Sequence, residues 1–294
     1  MLFEISTRGA IPSALARRSM DSRPTQAAST AASTAFASSY IPNFYNCRIK
    51  KNLLARVERD LHKMDKRRAI SMSNSSDPYP PMETKLGLTR SCLELFARSG
   101  CRVLVITKSD LVARDADLLI QMPAAVSVTI TTLDEKLSRR LEPNAPSPRR
   151  RLNAIRKLVG RGVPVAIRLD PIIPFLNDEG VEDVIGVAAS RGVKHVTSST
   201  FKPRFDSWRR IQSAFPDAAA RLAPLYFSQG RRHRRSWYLP RELRLELMGR
   251  VRTACDEHGL TFATCREGMP EFTTGATCDG SHLAARQAVR KINN

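Results

Sequence analysis

The sequence predicts an α/β fold, interpreted as one α/β barrel or partial barrel with a helical elaboration at its C-terminal end. Two observations predict this class. Short apolar runs alternate with helical stretches over most of the chain, and Gly100, Gly162 and Gly192 stand just before apolar runs, as expected of a glycine past a helix end. This alternation indicates βαβ units and a parallel sheet. The length, 294 residues, is one that such a barrel commonly uses.

The ordered part begins with an amphipathic helix in residues 49–66, where Leu53, Leu54, Val57 and Leu61 recur at helical spacing between charges. The apolar runs predicted as buried strands are 69–75, 102–107, 125–131, 163–170, 193–200 and a shorter one at 260–265. The stretches predicted as helices are 86–99, 114–121, 147–160, 179–191 and 240–258. The absence of a G-x-G-x-x-G motif and of a Walker phosphate loop excludes the usual dinucleotide and P-loop nucleotide sites.

The composition is that of a soluble globular protein except for its charge. Hydrophobic residues make up 42% and charged residues 26%, and no apolar run approaches the about 20 residues that a membrane span needs. The formal net charge is +20, and Arg outnumbers Lys by 37 to 11. Because the guanidinium group binds phosphate with two parallel hydrogen bonds, this excess favours a polyanionic partner. A genome-wide bias towards Arg is the alternative explanation.

The cysteines and the chain ends suggest a location and a domain division. Six cysteines are scattered without a C-x-x-C pair, which predicts reduced thiols and a cytoplasmic protein. Residues 1–35 predict a low-complexity, disordered N-terminus, although the basic first part also loosely resembles an organelle transit peptide, and a wrongly assigned start is a further alternative. Residues 36–283 are predicted as the barrel with its C-terminal extension, and 284–294 as a tail.

Polar phrases stand where the predicted strands end. SNSSDPYPPME follows the first strand, TKSDLVARD with Lys108 ends the second, and RLDPIIPFLND ends the fourth. Barrel enzymes place their chemistry at these carboxyl ends, and a lysine there can hold a carboxylate or phosphate. The alternative for the first phrase is a turn that Asx and Ser hydrogen bonds stabilise, without a further function.

Taken in order, these phrases resemble the radical S-adenosylmethionine (SAM) superfamily, and within it the branch of spore photoproduct lyases and DNA repair photolyase-like proteins. The phrases that carry the resemblance are SNSSDPYPPME, LTRSCLELF, VLVITKSDLVARDADLL, SVTITTLDEKLSRRLEPNAPSPRRRLNAI, VPVAIRLDPIIPFLND, WYLPREL, and TFATCREG followed by CDGSH. Together they cover roughly residues 36–283. Each phrase alone is weak evidence for the resemblance, whereas the whole set in this order is specific to the family.

The resemblance implies a partial (β/α)6 barrel of the TIM type that holds a four-iron, four-sulfur cluster and SAM. In the family the reduced cluster cleaves SAM to a 5′-deoxyadenosyl radical, so an electron donor is an implied partner. The residues that the resemblance places at SAM are Ser75, Asp77, Lys108, Thr129, Thr131 and Arg168. In the photoproduct lyase branch a cysteine returns hydrogen to the product where this chain has Asn74, so thymine-dimer reversal by that relay is not expected.

The implied cluster ligands are missing. In the family they come from a C-x-x-x-C-x-[YF]-C loop, because thiolates are the soft ligands that iron–sulfur clusters take. Aligned through the phrase FASSYIP, the three ligand positions fall on Ala28, Ala32 and Ala35. The resemblance thus implies a lyase-like radical SAM enzyme of DNA repair that is inactive as written. An error of frame or start, a loss of ligands and a replacement scheme are the competing explanations.

The segment 230–238, GRRHRRSWY, combines arginines with aromatic rings. Cations beside aromatics suit a nucleic-acid backbone and a splayed base. The residues through which DNA or RNA contact is predicted are Arg231, Arg232, Arg234, Arg235 and Trp237. A solvated basic loop that Trp237 anchors is the alternative. This segment supports the second hypothesis for the whole chain, a non-enzymatic basic barrel that binds nucleic acid.

Near the C-terminus, Cys265, Cys278 and His282 form a C-x12-C-x3-H array. Zinc or an accessory iron site could use such ligands, but structural zinc takes four ligands with tight pairs. The favoured interpretation is a loop that closes over the active site, with Arg266 and Glu267 directed inwards.

Overall fold

Parallel strands form most of the main sheet. The computed structural model describes residues 51–65, 68–72 and 76–284, and the backbone of 3–5. The strands are β1 (Phe3–Ile5), β2 (Ala69–Met72), β3 (Arg102–Thr107), β4 (Ala124–Thr129), β5 (Val165–Ile172), β6 (His195–Thr200), β7 (Arg231–His233), β8 (Ser236–Tyr238) and β9 (Thr261–Thr264). The main sheet has the order β1-β2-β3-β4-β5-β6-β9, and β7 and β8 form a separate hairpin. β1 pairs antiparallel with β2, and all other neighbours in the main sheet are parallel. The predicted α/β class, a partial barrel of the TIM type, is confirmed.

Helices cover the outer face of this sheet. They are α1 (Leu53–Leu61), α2 (Glu83–Leu86), α3 (Leu88–Arg98), α4 (Ala116–Leu119), α5 (Glu135–Leu141), α6 (Pro148–Gly160), α7 (Val181–Ala189), α8 (Phe205–Ala214), α9 (Pro216–Phe227) and α10 (Arg241–Glu257). Alternate strand residues such as Val103, Val126 and Ile167 are fully buried in the large core beneath the helices. Because strand side chains alternate between faces, their neighbours Leu104, Ala125 and Arg168 lie on the inner face.

Two predicted helices are interrupted. The predicted helix 86–99 is α2 followed by α3, because Gly87 between them adopts the left-handed region at a φ of 61°. The carboxylate of Glu83 accepts the backbone N–H groups of Thr89 at 2.8 Å and Arg90 at 3.3 Å, which satisfies the start of α3. The predicted helix 114–121 begins instead as a 3-10 turn, Asp110–Asp115, and continues as α4.

The predicted strands agree closely with the observed ones. The strand predicted at 102–107 is β3 to the residue, whereas those at 163–170 and 193–200 begin two residues later than predicted. Residues 49, 50 and 66 of the predicted first helix and 73–75 of the predicted first strand lie outside the described residues, as do 1–35 apart from β1. The tail from 285 onwards also lies outside them. Within the described ranges, helices that combine the length and the apolar character needed to cross a membrane do not occur.

Residues 201–240 form an insertion between β6 and α10 that contains α8, α9 and the hairpin. The sequence predicted only a helix-rich remainder here. The ring centroid of Trp208 in α8 lies 5.9 Å from that of Tyr226 in α9, and the N–H of Trp237 in β8 donates to the Pro203 carbonyl at 3.0 Å. The insertion therefore stands as one packed unit at the carboxyl end of β6, the edge where barrel chemistry is expected.

The C-terminal segment lies against the inner face of the sheet. Ala284 packs on Leu104 and Ala125, and the Nε of Arg102 donates to its carbonyl at 3.1 Å. Further along the sheet, the Thr197 hydroxyl donates to the backbone carbonyl of Cys278 at 2.9 Å. These contacts fall on the amino halves of β3, β4 and β6, away from the strand ends that carry the predicted site.

His195, the first residue of β6, is held neutral beneath this segment. It is fully buried, its Nδ1 lies 2.9 Å from the Thr261 hydroxyl, and its ring centroid lies 4.9 Å from that of His282. Burial, and then the neighbouring imidazole of His282, lowers the pKa of His195 to about 4.

We expect this histidine to make the fold acid-sensitive. Between an ordinary histidine pKa of about 6.5 and about 4, the unfolded chain binds a proton that the folded chain does not, so stability falls as pH falls. The full effect is on the order of 3 kcal/mol. Urea unfolding measured from pH 7 to pH 4 should show a smaller loss for His195→Gln than for the wild type. The exposed His233→Gln variant is the control, and equal losses in all three proteins would contradict the expectation.

Candidate active site at the carboxyl ends of the strands

Asp77 ties the loop after β2 to the end of β3. Its Oδ1 accepts hydrogen bonds from the Thr107 hydroxyl at 2.6 Å and the Tyr79 N–H at 3.0 Å, and its Oδ2 accepts from the Lys108 N–H at 2.7 Å. The carboxylate therefore holds two neighbouring strand ends together. Its predicted contact with SAM stays a prediction, and the predicted Ser75 lies outside the described residues.

Lys108 is the outer end of a chain of ion pairs. Its Nζ lies 3.5 Å from Oε1 of Glu142, whose Oε2 lies 2.6 Å from Nη2 of Arg151. Arg151 also donates to the carbonyls of Thr129 at 2.9 Å and Pro146 at 2.8 Å. Glu142 and Arg151 are buried, whereas the Lys108 side chain is 23% exposed. Of these three charged groups, Lys108 is the one that a ligand can reach.

Glu142 remains ionised in this arrangement. Burial alone would raise the pKa of its carboxyl, but the cations of Lys108 and Arg151 outweigh that effect and hold the pKa below its ordinary value. A carboxylate with a cation at each oxygen is poorly suited to transfer protons near neutral pH. We interpret Glu142 as a positioning residue for Lys108. No sequence pattern indicates Glu142, because it lies in a loop without periodicity, directly after α5.

Thr129 and Thr131, the other predicted residues on this side, are both buried at the end of β4. Their backbone carbonyls accept hydrogen bonds, that of Thr129 from Arg151 and that of Thr131 from Nδ2 of Asn177 at 2.7 Å. Oδ1 of Asn177 in turn accepts the N–H of Ile173 at 2.7 Å. The strand end is thus fixed from two sides, and the contact of these threonines with SAM stays a prediction.

Arg168 and Asp170 form a more open ion pair at the end of β5. Nη2 of Arg168 lies 2.7 Å from Oδ2 of Asp170, and Oδ1 of Asp170 accepts the Ser199 hydroxyl at 2.7 Å. Burial alone would raise the pKa of Asp170, but Arg168 and then Lys202 outweigh it and lower the pKa. The two side chains are 15% and 22% exposed. Sequence reasoning selected Arg168 and missed Asp170, although two residues at R-x-D spacing on a strand share a face.

Glu267 is not directed into the site, contrary to the interpretation of its loop. Its Oε1 accepts from the Thr200 N–H at 2.7 Å, the Thr200 hydroxyl at 2.8 Å and the Lys202 Nζ at 2.6 Å, and its Oε2 accepts from Nη1 of Arg244 at 3.0 Å. The carboxylate is fully buried. It joins the loops after β6 and β9 to α10. Arg266 beside it is exposed, with a left-handed φ of 56°.

The C-x12-C-x3-H array is divided between two places. Cys265 contacts Arg168, whereas His282 lies beside His195 with its Nδ1 2.9 Å from the Thr277 hydroxyl. Within the part of the chain that the structure describes, groups of three or more His, Cys, Asp or Glu side chains suited to hold a metal do not occur. We therefore do not assign a metal site to Cys265, Cys278 and His282.

The basic segment forms the hairpin of β7 and β8. Its four arginines, Arg231, Arg232, Arg234 and Arg235, are exposed, and carboxylate partners for them do not occur among the described residues. The Trp237 ring is half-buried: it packs edge-on against Phe227 with centroids 5.1 Å apart, and the Arg232 guanidinium lies 5.7 Å from its centroid. The hairpin thus presents these four arginines to solvent, and the packing of Trp237 against Phe227 anchors it to the rest of the protein.

A cleft of about 860 Å³ lies beside the strand ends, between the loop after β2, the 3-10 turn Asp110–Asp115 and α6. Two of its arginines are already neutralised, Arg114 by Glu83 at 2.8 Å and Arg150 by Asp110 at 2.8 Å. Of the predicted site residues within the described ranges, Asp77 alone lines it. The cleft adjoins the candidate site without containing its accessible charges.

Part of the chain is similar in sequence to a known superfamily. Residues 43–188 match the model of the Radical SAM superfamily. An uncharacterized protein of Mycobacterium tuberculosis is 28% identical over 216 residues, which cover 69% of this chain and 61% of that protein. The chain therefore spans less than two thirds of the length of this curated relative.

Structure comparison shows the same fold in two solved proteins. Spore photoproduct lyase complexed with dinucleoside spore photoproduct has a TM-score of 0.59 and 16% identity, covering 80% of this chain and 73% of that one. SuiB of Streptococcus suis bound to S-adenosylmethionine has a TM-score of 0.54 and 14% identity, covering 76% and 46%. At such identities the likeness extends to the fold alone.

Proposed function

We propose that this chain, of which residues 43–188 match the model of the Radical SAM superfamily, is a photoproduct-lyase-like radical SAM enzyme of nucleic acid that is inactive as written. Its fold is similar to that of spore photoproduct lyase complexed with dinucleoside spore photoproduct. The observation that carries the proposal is a contrast: charged strand-end groups such as Lys108 and Arg168 are in place, whereas the family's thiolate donors are absent from the sequence.

The residues present do not fit a four-iron cluster. Such a cluster needs three thiolates in one loop, and the implied positions Ala28, Ala32 and Ala35, which lie outside the described residues, carry methyl groups. Of the described cysteines, Cys92, Cys101 and Cys255 are buried and Cys265 and Cys278 half-buried. Ligand groups of three do not form among them or with the described His, Asp and Glu residues. No step of a reaction is therefore derived through a cluster on this chain.

Two accessible sites on this chain offer charges to SAM, Lys108 and the Arg168–Asp170 pair. Lys108 would attract the methionyl carboxylate, but that carboxylate competes with Glu142 at 3.5 Å. The Arg168–Asp170 pair offers a cation and an anion together, suited to a group that carries both charges. Without an open iron to bind the amino and carboxylate groups, these contacts alone would have to hold the molecule. An electron donor would be needed only by a chain that carries the cluster.

Nucleic acid is the proposed macromolecular partner because of the hairpin. Four exposed arginines without carboxylate partners in the described residues stand beside the site edge, and guanidinium groups bind phosphates well. The scattered cysteines support a reducing, cytoplasmic location. The same hairpin supports the second candidate function, a non-enzymatic barrel that binds nucleic acid, because that contact does not need a cluster.

The test of the first candidate is anaerobic reconstitution of the full chain with iron and sulfide, followed by an assay for 5′-deoxyadenosine with SAM and a reductant. We expect a colourless protein and no 5′-deoxyadenosine above the protein-free control. The triple variant Ala28→Cys, Ala32→Cys, Ala35→Cys is expected to bind iron, because it restores the thiolate set of the family. Turnover of SAM by the unmodified chain would overturn the proposal of inactivity.

A further inference from the structure

Phe205, the first residue of α8, presents its ring to solvent. Its side chain is 78% exposed, compared with 38% for Phe175 and 40% for Phe227. A single exposed apolar residue is ordinary on a protein surface. The surroundings of this ring are not ordinary, since Arg209 and the hairpin arginines belong to the same insertion and lack carboxylate partners among the described residues.

The turn that carries Phe205 is fixed by the residues on either side of it. The Arg204 N–H donates to the Ser207 hydroxyl at 2.9 Å, and that hydroxyl donates back to the Arg204 carbonyl at 3.1 Å, which fixes the first turn of α8. Three residues after Phe205, the Trp208 ring is buried, with its centroid 4.8 Å from that of Phe227. One side of this turn is therefore anchored in the core while Phe205 faces outwards.

The same turn is connected to the basic hairpin. Nε of Arg204 donates to the Ser236 hydroxyl of β8 at 3.4 Å, and the Trp237 N–H donates to the Pro203 carbonyl at 3.0 Å. Phe205 and the hairpin arginines thus belong to one packed insertion.

The charge of this insertion is strongly positive. Residues 201–240 contain nine Lys or Arg against two Asp. The guanidinium of Arg209 lies 5.8 Å from the centroid of Phe205, and Arg209 is exposed without a carboxylate partner in the described part of the chain. The nearest acid in sequence, Asp206, pairs with Arg210 at 3.0 Å. A partner that suits this surface combines flat apolar faces with negative charges.

We propose that Phe205 stacks on an unpaired base of a nucleic-acid strand whose phosphates contact Arg209 and the hairpin arginines. The inference rests on the proposed contact with nucleic acid and adds its form, a single-stranded or locally opened segment. Base–aromatic stacking needs a base face that a paired duplex hides, whereas any single strand offers one. An anionic membrane surface is the other partner with negative charge, but one ring on a short turn gives little apolar area for insertion.

The experiment measures binding of the full chain to a short single-stranded oligonucleotide that carries 2-aminopurine. The duplex of the same sequence is the comparison ligand. We expect tighter binding to the single strand and a change in 2-aminopurine emission on binding. Phe205→Ala should weaken single-strand binding by about 10-fold to 100-fold and remove the emission change, whereas Phe205→Trp should retain both. Leu86→Ala, at a side chain exposed to 41% outside the insertion, is the control for loss of an exposed apolar group.

The possible outcomes distinguish the stacking of Phe205 from the proposed contact with nucleic acid on which it rests. Phe205→Ala should keep the thermal midpoint of the wild type, because its ring is mostly exposed, so lost binding would not reflect unfolding. If Phe205→Ala binds single strands as the wild type does, while loss of the hairpin arginines weakens binding, the stacking inference is wrong and the nucleic-acid contact stands. If the wild type binds no oligonucleotide at low salt, both are wrong. If Phe205→Ala impairs only binding to phosphatidylserine vesicles, the partner is a membrane surface and the inference is overturned.

Discussion

Replacing Glu267 with alanine is expected to lower the free energy of unfolding by about 3–5 kcal/mol, because it leaves two cations without their common anion. The carboxylate is fully buried and takes one ion pair from Lys202 at 2.6 Å and another from Arg244 at 3.0 Å. Lys202 is itself buried, and burial lowers its pKa despite the nearby Glu267, so the ammonium has little access to water once the carboxylate is gone. Thr200 loses its acceptor as well.

Urea unfolding of the wild type and the Glu267→Ala variant at neutral pH measures this loss. Glu271→Ala is the matched control, since Glu271 lies in the same loop but its side chain is 52% exposed and its ion pair with Arg241 is 4.0 Å long. We expect the control to lose less than about 1 kcal/mol. Equal stabilities for the two variants would show that the buried ion pairs do not hold the loops after β6 and β9 to α10.

The second large effect concerns the hairpin. Changing Arg231, Arg232, Arg234 and Arg235 together to serine is expected to weaken single-strand binding on the order of 100-fold at about 0.1 M salt. If each arginine contacts one phosphate, the slope of log affinity against log salt should fall in magnitude by about 3, because fewer counterions are released. Fluorescence anisotropy with a labelled oligonucleotide over a salt series measures both quantities.

A charge-matched control separates local contact from overall charge. The control variant changes to serine Lys63, Arg98, Arg156 and Lys194, which are exposed near the ends of α1, α3 and α6 and just before β6. These helix ends lead into the amino ends of the next strands, away from the hairpin edge. If this variant loses as much affinity as the hairpin variant, and its salt dependence falls as much, then binding depends only on the net charge of +20 and not on a defined surface.

The regular part of the barrel could be predicted from the sequence because its strands are continuous apolar runs. The run RVLVIT is β3 to the residue, since a strand covered on both faces needs apolar side chains throughout. The break at Gly87 was missed because the pattern on both sides of it is helical, and only the left-handed φ shows the interruption. The hairpin was missed because RRHRRSWY lacks the alternation and the Asn-Gly turn that mark a hairpin in sequence.

The candidate site was less predictable than the fold. Lys108 and Arg168 were found because strand ends are where barrels place polar groups. Glu142 and Glu267 were not assigned to their buried ion pairs, because each meets partners that are distant in sequence, such as Arg244 for Glu267. Such pairings follow from tertiary packing, which no local pattern of a single chain encodes.

Three explanations compete for the alanines at positions 28, 32 and 35. The genomic DNA upstream of codon 36 separates an error of frame or start from the other two. A C-x-x-x-C-x-x-C reading in another frame would indicate a frame error and an intact enzyme. Alanine codons in a verified frame would leave a loss of the ligands or a replacement scheme, which the iron content of the chain distinguishes.

The iron content of the purified and reconstituted chain tests the central inference most directly, because methyl groups do not coordinate iron. We expect less than one iron per chain after anaerobic reconstitution and desalting, with no electron paramagnetic resonance signal of a reduced cluster. About four irons per chain with that signal and release of 5′-deoxyadenosine would contradict it, since a bound cluster requires ligands that the alignment does not supply.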